Sequence, residues 1–128
     1  MAQLLLVAHA PLASALGEVA AHAFPTCAAQ LDVLDVPAEW SLELAIERLQ
    51  AKMSVVGPVL VLVDVLGATP ANAALACAAL RQETLVVHGV NVPMLWRTLC
   101  YAHEPLDTLA GRAVEGAARG VGIAQASC

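Results

Sequence analysis

Two side chains with opposite proton habits each follow a short apolar run. His9 ends Gln3-Leu4-Leu5-Leu6-Val7-Ala8-His9, and Asp64 ends Val59-Leu60-Val61-Leu62-Val63-Asp64. Beyond Asp64 lies Gly67-Ala68-Thr69-Pro70, a glycine-containing turn leading to a hydroxyl and a proline suited to a first helical turn. Brought together, these groups suit phosphoryl transfer through histidine. A neutral imidazole has one free lone pair that can attack phosphorus, while its other nitrogen carries the proton. A carboxylate that accepts this proton fixes the tautomer. The phosphohistidine so formed is an anion, and the amides of Gly67, Ala68 and Thr69 at a helix start, with the Thr69 hydroxyl, are suited to hold it.

Each residue also has a plainer explanation. A histidine at a strand end is often a hydrogen-bonding terminus, and an aspartate there often caps the following turn. Thr69-Pro70 is fully accounted for as a helix start. His88 can simply end its strand, and Asp35, two residues before Pro37, reads as a turn residue. His22 and His103 fall on helical segments facing water, and Trp40 and Trp96 read as packing anchors. Neither a G-x-G-x-x-G, a Walker A nor a G-x-S-x-G motif occurs, so nucleotide-binding and serine-hydrolase readings have no support.

The elements that must position these groups alternate. Short β-branched and leucine runs predict strands at Gln3–Val7, Leu31–Val36, Val59–Val65 and Leu85–His88. Between and after them, apolar spacing predicts helices over Pro11–Ala23, Ser41–Lys52, Pro70–Leu80, Pro93–Tyr101 and Leu106–Arg119, with N-caps at Ser41, Thr69 and Asn91. Val121–Gln125 is a candidate for a short last strand. Val59–Val65 is apolar on both faces, as a strand covered on both sides must be. The alternation implies an α/β fold, a mainly parallel sheet with helices on both faces joined by right-handed crossovers. In such sheets ligands sit beyond the carboxyl ends of the strands. His9, Asp35, Asp64 and His88 all fall there, and an order 2-1-3-4 makes the strands of His9 and Asp64 neighbours.

Composition narrows the function class. The chain has 128 residues, 59% hydrophobic and 13% charged, which excludes a disordered chain and fits one domain over 1–128. Six Lys+Arg against eleven Asp+Glu give a net charge of −5, which argues against a nucleic-acid backbone binder and suits a partner with a basic docking patch. The mean hydropathy is +0.73, but Gly57, Pro58 and Asp64 break the longest apolar stretch. A spanning helix is therefore not expected. The first lysine or arginine is Arg48, so the apolar N-terminus lacks the charged flank of a secretory signal. The reading is a cytoplasmic protein without membrane insertion. Cys27, Cys77, Cys100 and Cys128 are far apart, which argues against zinc and predicts free, buried thiols in a reducing compartment.

At these residues the chain resembles a known family, the mannose-type enzyme IIA components of the phosphoenolpyruvate:sugar phosphotransferase system. Three blocks carry the likeness. They are Leu4-Leu5-Leu6-Val7-Ala8-His9; Leu62-Val63-Asp64, two residues, then Gly67-Ala68-Thr69-Pro70-Ala71-Asn72-Ala73-Ala74, where the family shows G-[GA]-[ST]-P-x-N-A-A; and Gly89-Val90-Asn91-Val92-Pro93-Met94-Leu95, where it shows G-x-N-[LIV]-P-M-L. The resemblance implies a four-stranded sheet of order 2-1-3-4 and a homodimer with a C-terminal strand, here within Gly116–Cys128, exchanged between subunits. It implies that His9 receives a phosphoryl group on Nε2 from the histidine phosphocarrier protein HPr, with Asp64 bonding Nδ1, Thr69 near the phosphate, and Asn91 and Pro93 shaping the next loop. The downstream acceptor implied is a IIB component in sugar transport, with no cofactor and no metal.

The chain departs from the family pattern at Ala10-Pro11, where glycine is frequent after the histidine, and at Ala68, where a second glycine is common. No IIB domain is expected within the chain. Such a chain also fits a regulatory circuit without transport, a non-catalytic interaction module, or the related phosphocarrier subunit that serves dihydroxyacetone kinase. A receiver domain, with Asp64 as phosphoacceptor, would need an acidic pair after the first strand and a lysine after the last. His9-Ala10 and the lysine-free tail do not supply them.

Overall fold

The computed structural model describes residues 1–126. Four strands form one all-parallel sheet: β1 (Gln3–His9), β2 (Leu31–Val36), β3 (Val59–Val63) and β4 (Thr84–His88), in the spatial order β2-β1-β3-β4. The register places Val7 opposite Val63, Val63 opposite His88, and His9 opposite Val36. The carboxyl ends of all four strands thus share one rim.

Period-two alternation sorts the strand side chains between two apolar layers. Leu4, Leu6, Ala8, Leu60, Leu62 and Val87 pack on one face, beneath α1 (Leu12–Ala23), α5 (Val92–Trp96) and α6 (Leu106–Arg119). Leu5, Val7, Val59, Val61 and Val63 pack on the other, beneath α3 (Leu42–Lys52) and α4 (Thr69–Ala79). Every residue of β3 is buried, as its uninterrupted apolar run requires. Each such leucine or valine adds roughly 1.5–3 kcal/mol of burial, so the central strands are the firmest part of the frame.

Side-chain caps start two of the helices. The Ser41 hydroxyl accepts from the Leu44 amide and starts α3, while Asn91 Oδ1 accepts from the Met94 amide and starts α5. Asn91 also donates to the Ala117 carbonyl, which ties the start of α5 to α6 (3.3 Å).

The structure corrects several expectations. The first helix begins at Leu12 rather than Pro11, which stands at its N-cap after a cis Ala10–Pro11 bond. A four-residue helix, α2 (Pro25–Ala28), was too short to leave a periodic trace. The single helix expected over Pro93–Tyr101 is two pieces, α5 and a 3₁₀ turn at Leu99–Tyr101. No strand forms over Val121–Gln125. Those residues are exposed, and a strand needs a neighbour to take its backbone hydrogen bonds. Ser127 and Cys128 lie outside the described residues.

The cysteines also differ from expectation. Cys27 of α2 and Cys100 of the 3₁₀ turn form a disulfide across a sequence separation of 73. Packing α2 against that turn brings their Cα atoms to 5.3 Å, inside the range a disulfide bridges. Cys77 is the buried thiol that was foreseen, in the layer beneath α3 and α4. Among the described residues, no helix is long and apolar enough to cross a membrane.

Candidate functional site

The site is built from the ends of β1 and β3. Because these strands are neighbours, the Asp64 carboxylate reaches His9. Asp64 Oδ2 accepts from the His9 backbone N–H (3.0 Å) and lies 2.7 Å from His9 Nδ1. Asp64 Oδ1 accepts from the Val65 N–H (2.9 Å). The Asp64 carbonyl takes the Gly89 N–H (2.8 Å), which locks the end of β3 to the turn after β4. Burial pushes the Asp64 carboxyl up, but the three N–H donors outweigh it and hold the group below its ordinary value of 3.8. An ionised carboxylate only accepts, so the ring proton stands on Nδ1. Nε2 is then the unengaged nitrogen, on a side chain 50% exposed, whereas the Asp64 side chain is 12% exposed. In its neutral form the half-exposed imidazole thus has one tautomer, with the lone pair on Nε2.

The turn beyond Asp64 leads into α4. Gly67 has φ +83°, a left-handed conformation that favours glycine, whereas Ala68 is extended with φ −122° and ψ 167°. The departure from a glycine pair therefore falls where the backbone makes no demand for glycine. The Asn72 N–H bonds the Ala68 carbonyl (2.9 Å), so the helix starts one residue earlier than its Thr-Pro signature suggests. Ala68, not Thr69, is the N-cap, and the Thr69 hydroxyl caps nothing among the described residues. It stands at the first position of α4, beside first-turn amides that lack intrahelical acceptors. Free first-turn amides at a helix start favour anions in general.

Other rim residues sort differently. His88 ends β4, exposed, opposite Val63. Asp35 is not a turn residue. Its Oδ1 accepts from the Ser14 N–H (3.0 Å) and its Oδ2 from the Ser14 hydroxyl (2.5 Å). Sequence spacing could not reveal this pair, because the packing of α1 beside β2 brings it together. His22 and His103 are exposed, as expected. Trp40 packs against the core beneath α3, and Trp96 stacks edge-on with Phe24 at 5.1 Å, so both are packing residues. Among the described residues, no group of three or more His, Cys, Asp or Glu could hold a metal ion.

The family model described as "PTS system fructose IIA component" (EIIA-man) matches residues 3–111, a span that runs from β1 into the first turns of α6. The chain belongs to this family. Solved structures agree on the fold of this IIA chain. A mannose/sorbose-specific IIA subunit of the phosphotransferase system from Enterococcus faecalis superposes with a TM-score of 0.91 at 24% identity, over 98% of this chain and 96% of that one. A phosphotransferase component EIIA from Streptococcus agalactiae gives 0.87 at 21% identity, over 96% and 97%. A IIA protein associated with the fucose utilization operon of Streptococcus pneumoniae gives 0.69 at 21%, over 96% of each. No curated protein sequence matches. IIA membership supports a phosphocarrier role in a sugar phosphotransferase system.

Proposed function

We propose that this chain is a phosphohistidine relay. His9 Nε2 attacks the phosphorus of a phosphohistidine on HPr, the donor N–P bond breaks, and the donor imidazole leaves. His9 then passes the group to a IIB component or to a regulatory partner. The observation that carries this reading is the 2.7 Å contact of His9 Nδ1 with Asp64, on a ring half open to solvent.

The chemistry of each residue follows from its place. Asp64 holds the proton on Nδ1, keeps the nucleophilic lone pair on Nε2, and stabilises positive charge as the N–P bond forms. Both its oxygens already accept N–H donors, which suits this task better than accepting phosphate itself. The amides of Gly67, Ala68 and Thr69 and the Thr69 hydroxyl receive the phosphoryl oxygens. Transfer between two histidines exchanges like bonds, so it is near thermoneutral and reversible. The net charge of −5 suits a donor whose histidine sits in a basic patch. A second copy of the chain is part of the proposal, with the exposed Val121 and Ile123 lying in the segment that would cross between subunits.

Incubation with phosphoenolpyruvate, enzyme I and HPr tests the reading. The chain is expected to gain one phosphoryl group that acid removes and alkali spares, as a phosphoramidate does. Absence of label, or an alkali-labile acyl phosphate, would overturn it.

A further inference from the structure

We propose that Asp35 and Ser14 form a positioning pair that sets where the His9 imidazole stands. The inference rests on the relay reading above. His9 is the last residue of β1, and only Ala10 and Pro11 separate it from α1. Pro11 is the N-cap of that helix and offers no side-chain acceptor to its first turn. Asp35 supplies one from the neighbouring strand, 21 residues away in sequence, by taking both the N–H and the hydroxyl of Ser14. The Ala10 N–H is bound to the carbonyl of Val36 (3.0 Å), the residue after Asp35 and the register partner of His9. The segment leaving His9 is thus tied to β2 at two points, while Asp64 ties His9 itself to β3.

A ring half exposed to solvent is not oriented by packing alone, so its place depends on the backbone that carries it. A local cap at position 11 would satisfy the helix without involving β2. The cap here comes from a different strand, and it fixes the helix to the sheet beside the reacting residue. Charge adds to the effect. A carboxylate at a helix N-terminus is favoured by the dipole, and its bonds to Ser14 are charge-assisted. Asp64 then sets the tautomer, and Asp35 with Ser14 sets the platform. A displacement of about 1 Å at a reacting group can cost roughly 100-fold in rate, so a loosened platform shows in transfer before it shows in folding.

The experiment compares wild type, Ser14→Ala and Ser14→Thr in single-turnover transfer from phospho-HPr, alongside nitrogen-15 NMR of the His9 ring. Ser14→Ala is expected to slow transfer at saturating donor by roughly 5- to 10-fold with KM for the donor unchanged. Its ring signals should move away from the single Nδ1-protonated form of wild type. Ser14→Thr keeps the hydroxyl and should restore both. If Ser14→Ala lowers Tm yet leaves the ring signals as in wild type, the pair is a helix cap only and the inference fails, whatever the rate does. Unchanged transfer also overturns it. If wild type accepts no phosphoryl group, the relay reading fails separately, and the NMR arm still decides whether the pair orients the ring.

Discussion

Asp64 accepts the His9 N–H, the His9 ring proton and the Val65 N–H with two oxygens, so removing its charge disturbs position and tautomer together. Asp64→Asn is expected to slow phosphoryl transfer by roughly 10- to 100-fold, the worth of one hydrogen bond to a charged group at about 1.5–3 kcal/mol. Single-turnover transfer from phospho-HPr measures this. The same carboxylate has a signature in stability. Its folded pKa is depressed below 3.8, so its contribution is fully present above that value and is lost as the pH falls through 3.8 and the lower folded value. Denaturation across the acid range should therefore show a flatter decline for Asp64→Asn than for wild type. The pairing of His9 with Asp64 was legible because each ends an apolar run and α/β sheets gather such ends on one rim. Asp35 was not, since its partner Ser14 lies 21 residues away and nothing near Asp35 announces it.

At the scale of elements, the two helix starts that resemble each other most in sequence do different work. Ser41 caps α3 through the Leu44 amide, whereas Thr69 caps nothing among the described residues and stands inside the first turn of α4. Ser41→Ala is expected to cost about 1 kcal/mol of stability and leave transfer unchanged. Thr69→Ala should change stability by no more than about 0.5 kcal/mol and slow transfer about tenfold. Denaturant titration and transfer kinetics on the two variants separate these outcomes. A Thr69→Ala variant with full transfer would remove the hydroxyl from the site. Strands and long helices were legible because period two and period 3.6 persist over enough residues to be counted. The four residues of α2 gave no period, and the break after Trp96 lay inside a run whose apolar spacing continues across it. Thr69 was read one position out of place because a threonine before proline fits an N-cap, while the hydrogen bond that places the cap at Ala68 is a property of the folded turn.

The whole molecule is a sheet whose one rim carries the reactive groups and whose ends are fastened by different means. The disulfide joins α2 to the 3₁₀ turn, two elements that sequence separation hides from each other. Wide spacing and a cytoplasmic reading pointed to free thiols, and neither consideration contains the packing that brings the two sulfurs together. Closing a loop of 73 residues restricts the unfolded chain, so reduction should lower stability by about 2–4 kcal/mol. Thermal or urea unfolding with and without reductant reads this directly, with Cys27→Ser as the matched control. If reductant and Cys27→Ser both leave the transition in place, the bond contributes nothing in solution. Because the bond links elements other than those that hold His9 and Asp64, transfer is expected to persist after reduction.

The proposed relay assigns phosphorus to Nε2 of His9. The most direct test phosphorylates wild type and His9→Ala side by side through enzyme I and HPr, then locates the phosphoryl group by nitrogen-15 and phosphorus NMR. The account predicts a single Nε2-linked phosphohistidine at residue 9 in wild type and no label in the variant. Label at full yield in His9→Ala, or a phosphoryl group on Nδ1 or on Asp64, would contradict it.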